Sequence, residues 1–169
     1  MVDYKSLPIG DRAPEIVNAV VEIPSGSSNK YEYDVSLGVF RLDRVLYSPV
    51  HYPADYGFIP GTLAADGDPL DILILISQPT FPGCLLEARP VGMLDMVDDK
   101  GVDEKILAVA QHDPRYQRIE DLASVEPHVL KEIEHFFNVY KSLEGRISLT
   151  FGWSGKAVAL QRIETYRIK

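Results

Sequence analysis

Asp66-Gly67-Asp68-Pro69-Leu70-Asp71-Ile72-Leu73-Ile74-Leu75-Ile76 packs three carboxylates into six residues and then turns wholly apolar. Gly67 permits a tight turn between Asp66 and Asp68, and Pro69 stiffens the approach to Asp71. The run Ile72–Ile76 reads as a buried strand. The acids therefore sit on a short, stiffened loop at the mouth of a rigid element, where a reactive constellation can be held. Three like charges this close either stay solvated as an acidic turn or gather hard cations. Oxygen-only ligands suit Mg2+ or Mn2+. The spacing and the missing closing Glu exclude an EF-hand loop.

The chain upstream reads as short strands. Asn18–Ile23 is the first, ended by Pro24 and a Ser/Gly turn. Lys30–Val35 alternates, with Lys30, Glu32 and Asp34 on one face and Tyr31, Tyr33 and Val35 on the other. A hairpin between these two strands would bring Glu22 to the face of Lys30 and Glu32, unless that face is simply solvated. Val39–Arg44 is a third strand. The stretch Tyr47–Gly61 has too much Pro and Gly for a helix and too many aromatics for an exposed loop. It is expected to pack on the core and present Tyr56 near the acidic loop, as a core filler or a site residue.

Downstream, residues 84–97 form a long apolar run holding Pro90 and Gly92, expected as a bent or bulged strand. It leads into a second acidic loop with Asp98 and Asp103, and Ile106–Ala110 is one more strand. Short strands at this spacing predict a small barrel rather than a parallel sheet. A helix capped by Ser124 is expected to run to about Leu143 and stop at Gly145. Val129, Ile133, Phe136, Phe137 and Tyr140 form its buried stripe. Lys141 reads as a charge at the helix C-terminus. A second helix, capped by Ser154, is expected to run to the end.

The length of 169 residues, with 46% hydrophobic and 25% charged residues, describes one domain with a core of its own. Cys84 is the sole cysteine, so no intrachain disulfide forms. No signal peptide or membrane-length run is present, and a cytoplasmic location is the expectation. The net charge of −8 opposes binding to nucleic acid or anionic membrane.

Two acidic loops together with Lys30, Arg44, Lys105, Lys141, Tyr56 and Tyr140 suit a densely charged phosphate substrate held with divalent metal. No Ser-His-Asp set or cysteine nucleophile is apparent, so attack by water follows. The residues read alone lead to a metal-dependent hydrolase of a small phosphate compound.

Motifs along nearly the whole chain carry a closer likeness: Val21-Glu22-Ile23-Pro24, Asn29-Lys30-Tyr31-Glu32-Tyr33-Asp34, Leu42-Asp43-Arg44-Val45-Leu46, Tyr52-Pro53-Ala54-Asp55-Tyr56-Gly57-Phe58-Ile59-Pro60, the Asp66–Asp71 loop, Ala88-Arg89-Pro90-Val91-Gly92, Asp103-Glu104-Lys105 and His135–Lys141. In these the chain resembles the family I inorganic pyrophosphatases of the bacterial type. The resemblance implies one domain over 1–169, a mainly β fold with a five-stranded OB-like barrel, and two long C-terminal helices. It implies hydrolysis of pyrophosphate by direct attack of a water bridging two divalent metals, Mg2+ with Mn2+ as a substitute, several ions per site.

By the same resemblance Asp66, Asp71 and Asp103 match ligands of the tightest metal, and Asp71 also a ligand of the second. Asp98, with Asp103, matches the place of metals arriving with substrate. Asp68 matches the general base. Lys30, Arg44, Lys105, Tyr140 and Lys141 match phosphate-holding groups, Tyr56 an active-site tyrosine, and Glu22 and Glu32 outer-shell acids. A homohexamer of two stacked trimers is implied. The stretch Arg146–Phe151 departs from the family in lacking its lysines, so the resemblance does not fix the details of the site's far wall, though it does fix the chemistry. A single-strand nucleic-acid binder is the rival use of such a barrel; the acidic charge and the lack of a basic, aromatic-studded stripe oppose it. A metal-binding domain without activity is a second rival, and the presence of every family acid opposes that.

Overall fold

The computed structural model describes residues 1–169. Nine strands and two helices follow in order: β1 (Val17–Ile23), β2 (Asn29–Asp34), β3 (Val39–Val45), β4 (Asp55–Phe58), β5 (Asp71–Leu75), β6 (Leu85–Asp98), β7 (Gly101–Val102), β8 (Lys105–Ala110), α1 (Pro127–Val139), β9 (Ser148–Gly155) and α2 (Lys156–Tyr166). Strands β1, β4, β5, β8 and β6 lie side by side, and β6 pairs back onto β1, closing a five-stranded barrel. The fold is mainly β with its helices at the C-terminal end, as the sequence predicts. No helix is long and apolar enough to cross a membrane.

β6 makes closure possible by being long and bent. Its first residues, Leu85–Ala88, pair with β1, and Ala88–Leu94 pair with β8. The register slips between Pro90 and Gly92, at the expected bulge. β4 lies inside the Tyr47–Gly61 stretch, where aromatic and Pro-rich chemistry masks a four-residue strand. Gly57 is needed there, because a Cβ would fall 1.8 Å from the Val20 carbonyl oxygen of β1.

β5 and β8 are buried on both faces, which is why they read as unbroken apolar runs. Ile72, Ile74, Ile106 and Ala108 pack in one cluster with Ala159 and Ile163 of α2. Leu73, Leu75, Leu107 and Val109 pack in another with Ile133, Phe136 and Phe137 of α1. They form the one parallel pairing of the barrel, in the register Asp71↔Lys105 through Leu75↔Val109. Both strands therefore begin at the same end.

Three boundaries differ from the sequence expectation. α1 begins at Pro127, not after Ser124; Glu126 caps it by accepting the His128 N–H. Proline fits the first helical position, where its missing N–H costs nothing, and Ser124 instead ends a 3-10 turn capped by Asp121. The helix stops at Val139, while Gly145, in the left-handed region at φ 68°, closes a later 3-10 turn, Ser142–Glu144. Ser154 belongs to β9, its hydroxyl donating to Asp95 at 2.7 Å. The N–H of Lys156 that opens α2 is met by Asp121 from outside the helix.

β1 and β2 form no hairpin. β1 pairs with β4 and β6, and β2 pairs only with β3 in a separate two-stranded sheet. Glu22 nonetheless reaches β2, its carboxylate accepting the Tyr33 N–H at 2.9 Å.

Candidate active site

The starts of β5 and β8, the β2–β3 hairpin and the end of α1 surround one open cavity of about 480 Å³. Every residue singled out from the sequence lines it: Glu22, Lys30, Glu32, Arg44, Tyr56, Asp66, Asp68, Asp71, Asp98, Asp103, Lys105, Tyr140 and Lys141. The wall carries eight carboxylates and seven cationic side chains. So even a balance suits a ligand set of both signs, an anion together with cations.

The parallel register explains the deepest part. Asp71 and Lys105 are paired first residues of β5 and β8, and Lys105 Nζ lies 2.7 Å from Asp71 and 2.8 Å from Asp103. It also donates to the Tyr56 hydroxyl at 2.9 Å. Lys105 is 2% exposed. Burial alone would push its ammonium down, but Asp71, Tyr56 and Asp103 hold it well above the ordinary lysine value. Tyr56 is a core residue by burial, yet its hydroxyl faces this ion pair, and burial raises its pKa well above the usual range. Two acids 32 positions apart in sequence thus meet at one ammonium.

Two β-bulges aim further acids inward, since an extra residue re-aims its side chain. The β1–β4 register slips between Val21 and Ile23, which frees Glu22 from the alternation. Burial lifts the Glu22 carboxyl to about 7, with the Tyr33 N–H opposing and Asp71 adding to the rise. In the hairpin, Lys30 pairs with Arg44 but Tyr31 pairs with Leu42, leaving Asp43 as the extra residue. Adjacent Asp43 and Arg44 therefore both line the cavity. Lys30 pairs with Glu32 and, at 3.2 Å, with Asp43. Arg44 meets Glu144 at 2.7 Å.

The far wall comes from the end of α1. Tyr140 is 4% exposed. Lys141, read from sequence as a helix-end charge, is 6% exposed and sits 3.2 Å from Asp98. It lies past the helix, at the head of the 3-10 turn Ser142–Glu144. Arg146, from the stretch that departs from the family pattern, also lines the cavity and binds Asp99 at 3.2 Å.

On the near side, Gly67 adopts φ 87°, the turn expected of it. Asp66 accepts the Asp68 N–H at 3.0 Å. Buried Thr62 staples the loop stems, its hydroxyl donating to the Ile59 carbonyl and accepting the Leu70 N–H.

Sequence reasoning missed Lys5, Asp43, Lys100 and Arg146, all of which line the cavity. Asp43 sits inside a quoted motif, but its inward aim depends on a bulge. Lys5 lies 63 positions from its partner Asp68, with no periodic signal to mark it.

The donor set fits a hard divalent cation. It is all oxygen, and the half-buried Asp71–Asp103 pair already gathers a positive group between its members. The carboxylates are not drawn into a group of three or more at ligand spacing; most are held by a neighbouring lysine or arginine.

Fold and cavity define the class: a five-stranded barrel whose strand ends present a cleft of paired acids and buried ammonium groups. The profile of the inorganic pyrophosphatase family matches residues 19–168, and the chain belongs to that family. It is 52% identical over 158 residues to an inorganic pyrophosphatase of a Nostoc species, covering 91% of this chain and 94% of the relative. It is 50% identical over 166 residues to that of Thermus thermophilus, covering 96% and 95%. The crystal structure of the Thermus thermophilus inorganic pyrophosphatase superposes with a TM-score of 0.96 at 48% identity, over 98% of this chain and 97% of that one.

Proposed function

We propose that the protein hydrolyses inorganic pyrophosphate to two orthophosphates in this cavity, with Mg2+ as its ordinary cation and Mn2+ as a substitute. One observation carries the reading. Lys105 and Lys141 are buried at 2% and 6% exposure, against Asp71, Asp103 and Asp98. Lysine is rarely buried unless paired, and ammonium groups fixed in an acid-lined cleft suit an anion that arrives with cations.

Asp66, Asp71 and Asp103 would hold the tightest ion and Asp71 a second. Asp98 with Asp103 would hold ions arriving with substrate, and Glu22 and Glu32 would order their outer shell. Divalent cations held there would neutralise phosphate charge and would lower the pKa of an attacking water. Asp68 accepts a proton from that water as its oxygen bonds to one phosphorus. The bridging P–O bond breaks, and the leaving phosphate takes the electron pair. Lys30, Arg44, Lys105, Tyr140 and Lys141 donate to the phosphate oxygens as charge grows on them, with the Tyr56 hydroxyl beside Lys105. Fixed donors of this kind match what phosphoryl transfer asks of a protein, which is mostly positioning and neutralisation.

A phosphate-release assay tests the reading. Pyrophosphate with Mg2+ should yield orthophosphate, EDTA should abolish the yield, and ATP and a sugar phosphate should be poor substrates. Faster release from ATP or the sugar phosphate would overturn the substrate assignment. The resemblance also leads to a homohexamer, and Ile147, just before β9, with Leu149 and Phe151 on it, leaves apolar surface exposed. Sedimentation should give six times the mass of one chain; a monomer would contradict the assembly.

A further inference from the structure

Lys5 reaches the cavity from outside every motif that marks it. It sits in the 3-10 turn Tyr4–Ser6, capped by Asp3. The turn is fixed on two sides. Tyr4 packs edge-on against Tyr33 and Phe40 of the β2–β3 hairpin, ring centroids 5.1 and 5.0 Å away. The Tyr33 hydroxyl donates to the Val2 carbonyl at 2.9 Å. On the other side the Lys5 carbonyl accepts the Gly61 N–H, at the stem of the acidic loop.

From that base the Lys5 ammonium lies 3.0 Å from Oδ1 of Asp68. Asp68 is otherwise unrestrained: its side chain is 67% exposed, and Lys5 is the only group that hydrogen-bonds its carboxylate. It rides on a loop turned by Gly67. One carboxylate oxygen is thus tethered, and the other is left without a partner.

We propose that Lys5 is a positioning residue for the proton transfer, holding the Asp68 carboxylate so that its second oxygen meets the attacking water. The inference rests on Asp68 as the general base. An exposed ion pair of this kind contributes little to stability. Proton transfer is different, because small misplacements of a catalytic group are costly in rate.

The test is a cycle of Lys5→Met, Asp68→Asn and the double variant, each assayed for kcat and KM with pyrophosphate at saturating Mg2+, with Lys5→Arg as the conservative control. Lys5→Met should lower kcat on the order of tenfold while KM and melting temperature stay as in the unaltered protein. Lys5→Arg should restore most of the loss, since a guanidinium can keep the tether. In the Asp68→Asn background Lys5→Met should cost nothing further, the signature of residues acting as one unit. A kcat within about twofold of the parent, a raised KM with kcat unchanged, or losses that multiply in the double variant would each overturn the inference. If Asp68→Asn itself costs less than about tenfold, the base assignment falls, and this inference falls with it.

Discussion

Removing the Lys105 ammonium while keeping its stem is the sharpest perturbation of the buried charge at the site. Lys105→Met leaves Asp71 and Asp103 facing each other without the group that lies 2.7 and 2.8 Å from them. Breaking a buried ion pair by deleting one partner costs about 3–5 kcal/mol; the two acids left behind are half-buried, their side chains 26% and 13% exposed, which puts the cost at the low end. For a domain of this size each kcal/mol moves the melting temperature by roughly 2–4 °C, so a fall of roughly 6–12 °C is expected in EDTA. Divalent metal should then do more for the variant than for the parent. In the parent Lys105 already compensates the two acids, whereas in the variant the added ion is their only cation. A ligand at a hundred times its dissociation constant stabilises by about 2.7 kcal/mol, so much of the loss is recoverable. The assay is thermal melting by calorimetry in EDTA and across a Mg2+ series. A variant that melts with the parent in EDTA, or that gains no more from Mg2+ than the parent does, would refute the argument.

Other outcomes follow from the same geometry. Asp71→Ala and Asp103→Ala should both blunt the rise of melting temperature with Mg2+; if only Asp71→Ala does so, the two acidic loops do not share an ion. Asp55 lies outside the cavity, fully buried, and accepts from the Ser25 N–H, the Thr80 N–H and the Thr80 hydroxyl. Asp55→Ala strands those donors and should cost about 2–4 kcal/mol in denaturant melts, with kcat unchanged; a drop in kcat without destabilisation would contradict a purely structural role. Asp113 is held below the usual carboxylate range by the Ser77 hydroxyl and backbone N–H. Its contribution to stability is therefore complete above the ordinary carboxylate value of about 4 and is lost as pH falls through the lowered value. Asp113→Asn should flatten acid melting curves in that window, and an unchanged curve would rule Asp113 out as a contributor.

The barrel was legible where local chemistry and burial agree. The run Ile72–Ile76 declares a strand covered on both faces, and Pro90 with Gly92 declares the bend that lets β6 close the barrel. The helix boundaries misled because Ser124 and Ser154 are good caps in isolation. The better signals were Pro127, which suits the first turn, and Asp121, whose cap of α2 crosses from another element. The first hairpin was misplaced because alternation shows which face a strand presents and not which strand it pairs with. The cavity's acids and lysines were legible as motifs. Their inward aim was not, since Glu22 and Asp43 depend on bulges and Asp71 with Lys105 depends on parallel register. Lys5 was invisible because a contact spanning 63 residues leaves no trace in local pattern.

If Asp68 takes the proton while the other acids hold the cations, steady-state hydrolysis of pyrophosphate by Asp68→Asn separates the two roles. With Mg2+ saturating at neutral pH, kcat should fall by about 10²–10⁴, while the Mg2+-dependent melting shift stays equal to that of the parent. Turnover within a few-fold of the parent, with that shift intact, would contradict Asp68 as the base.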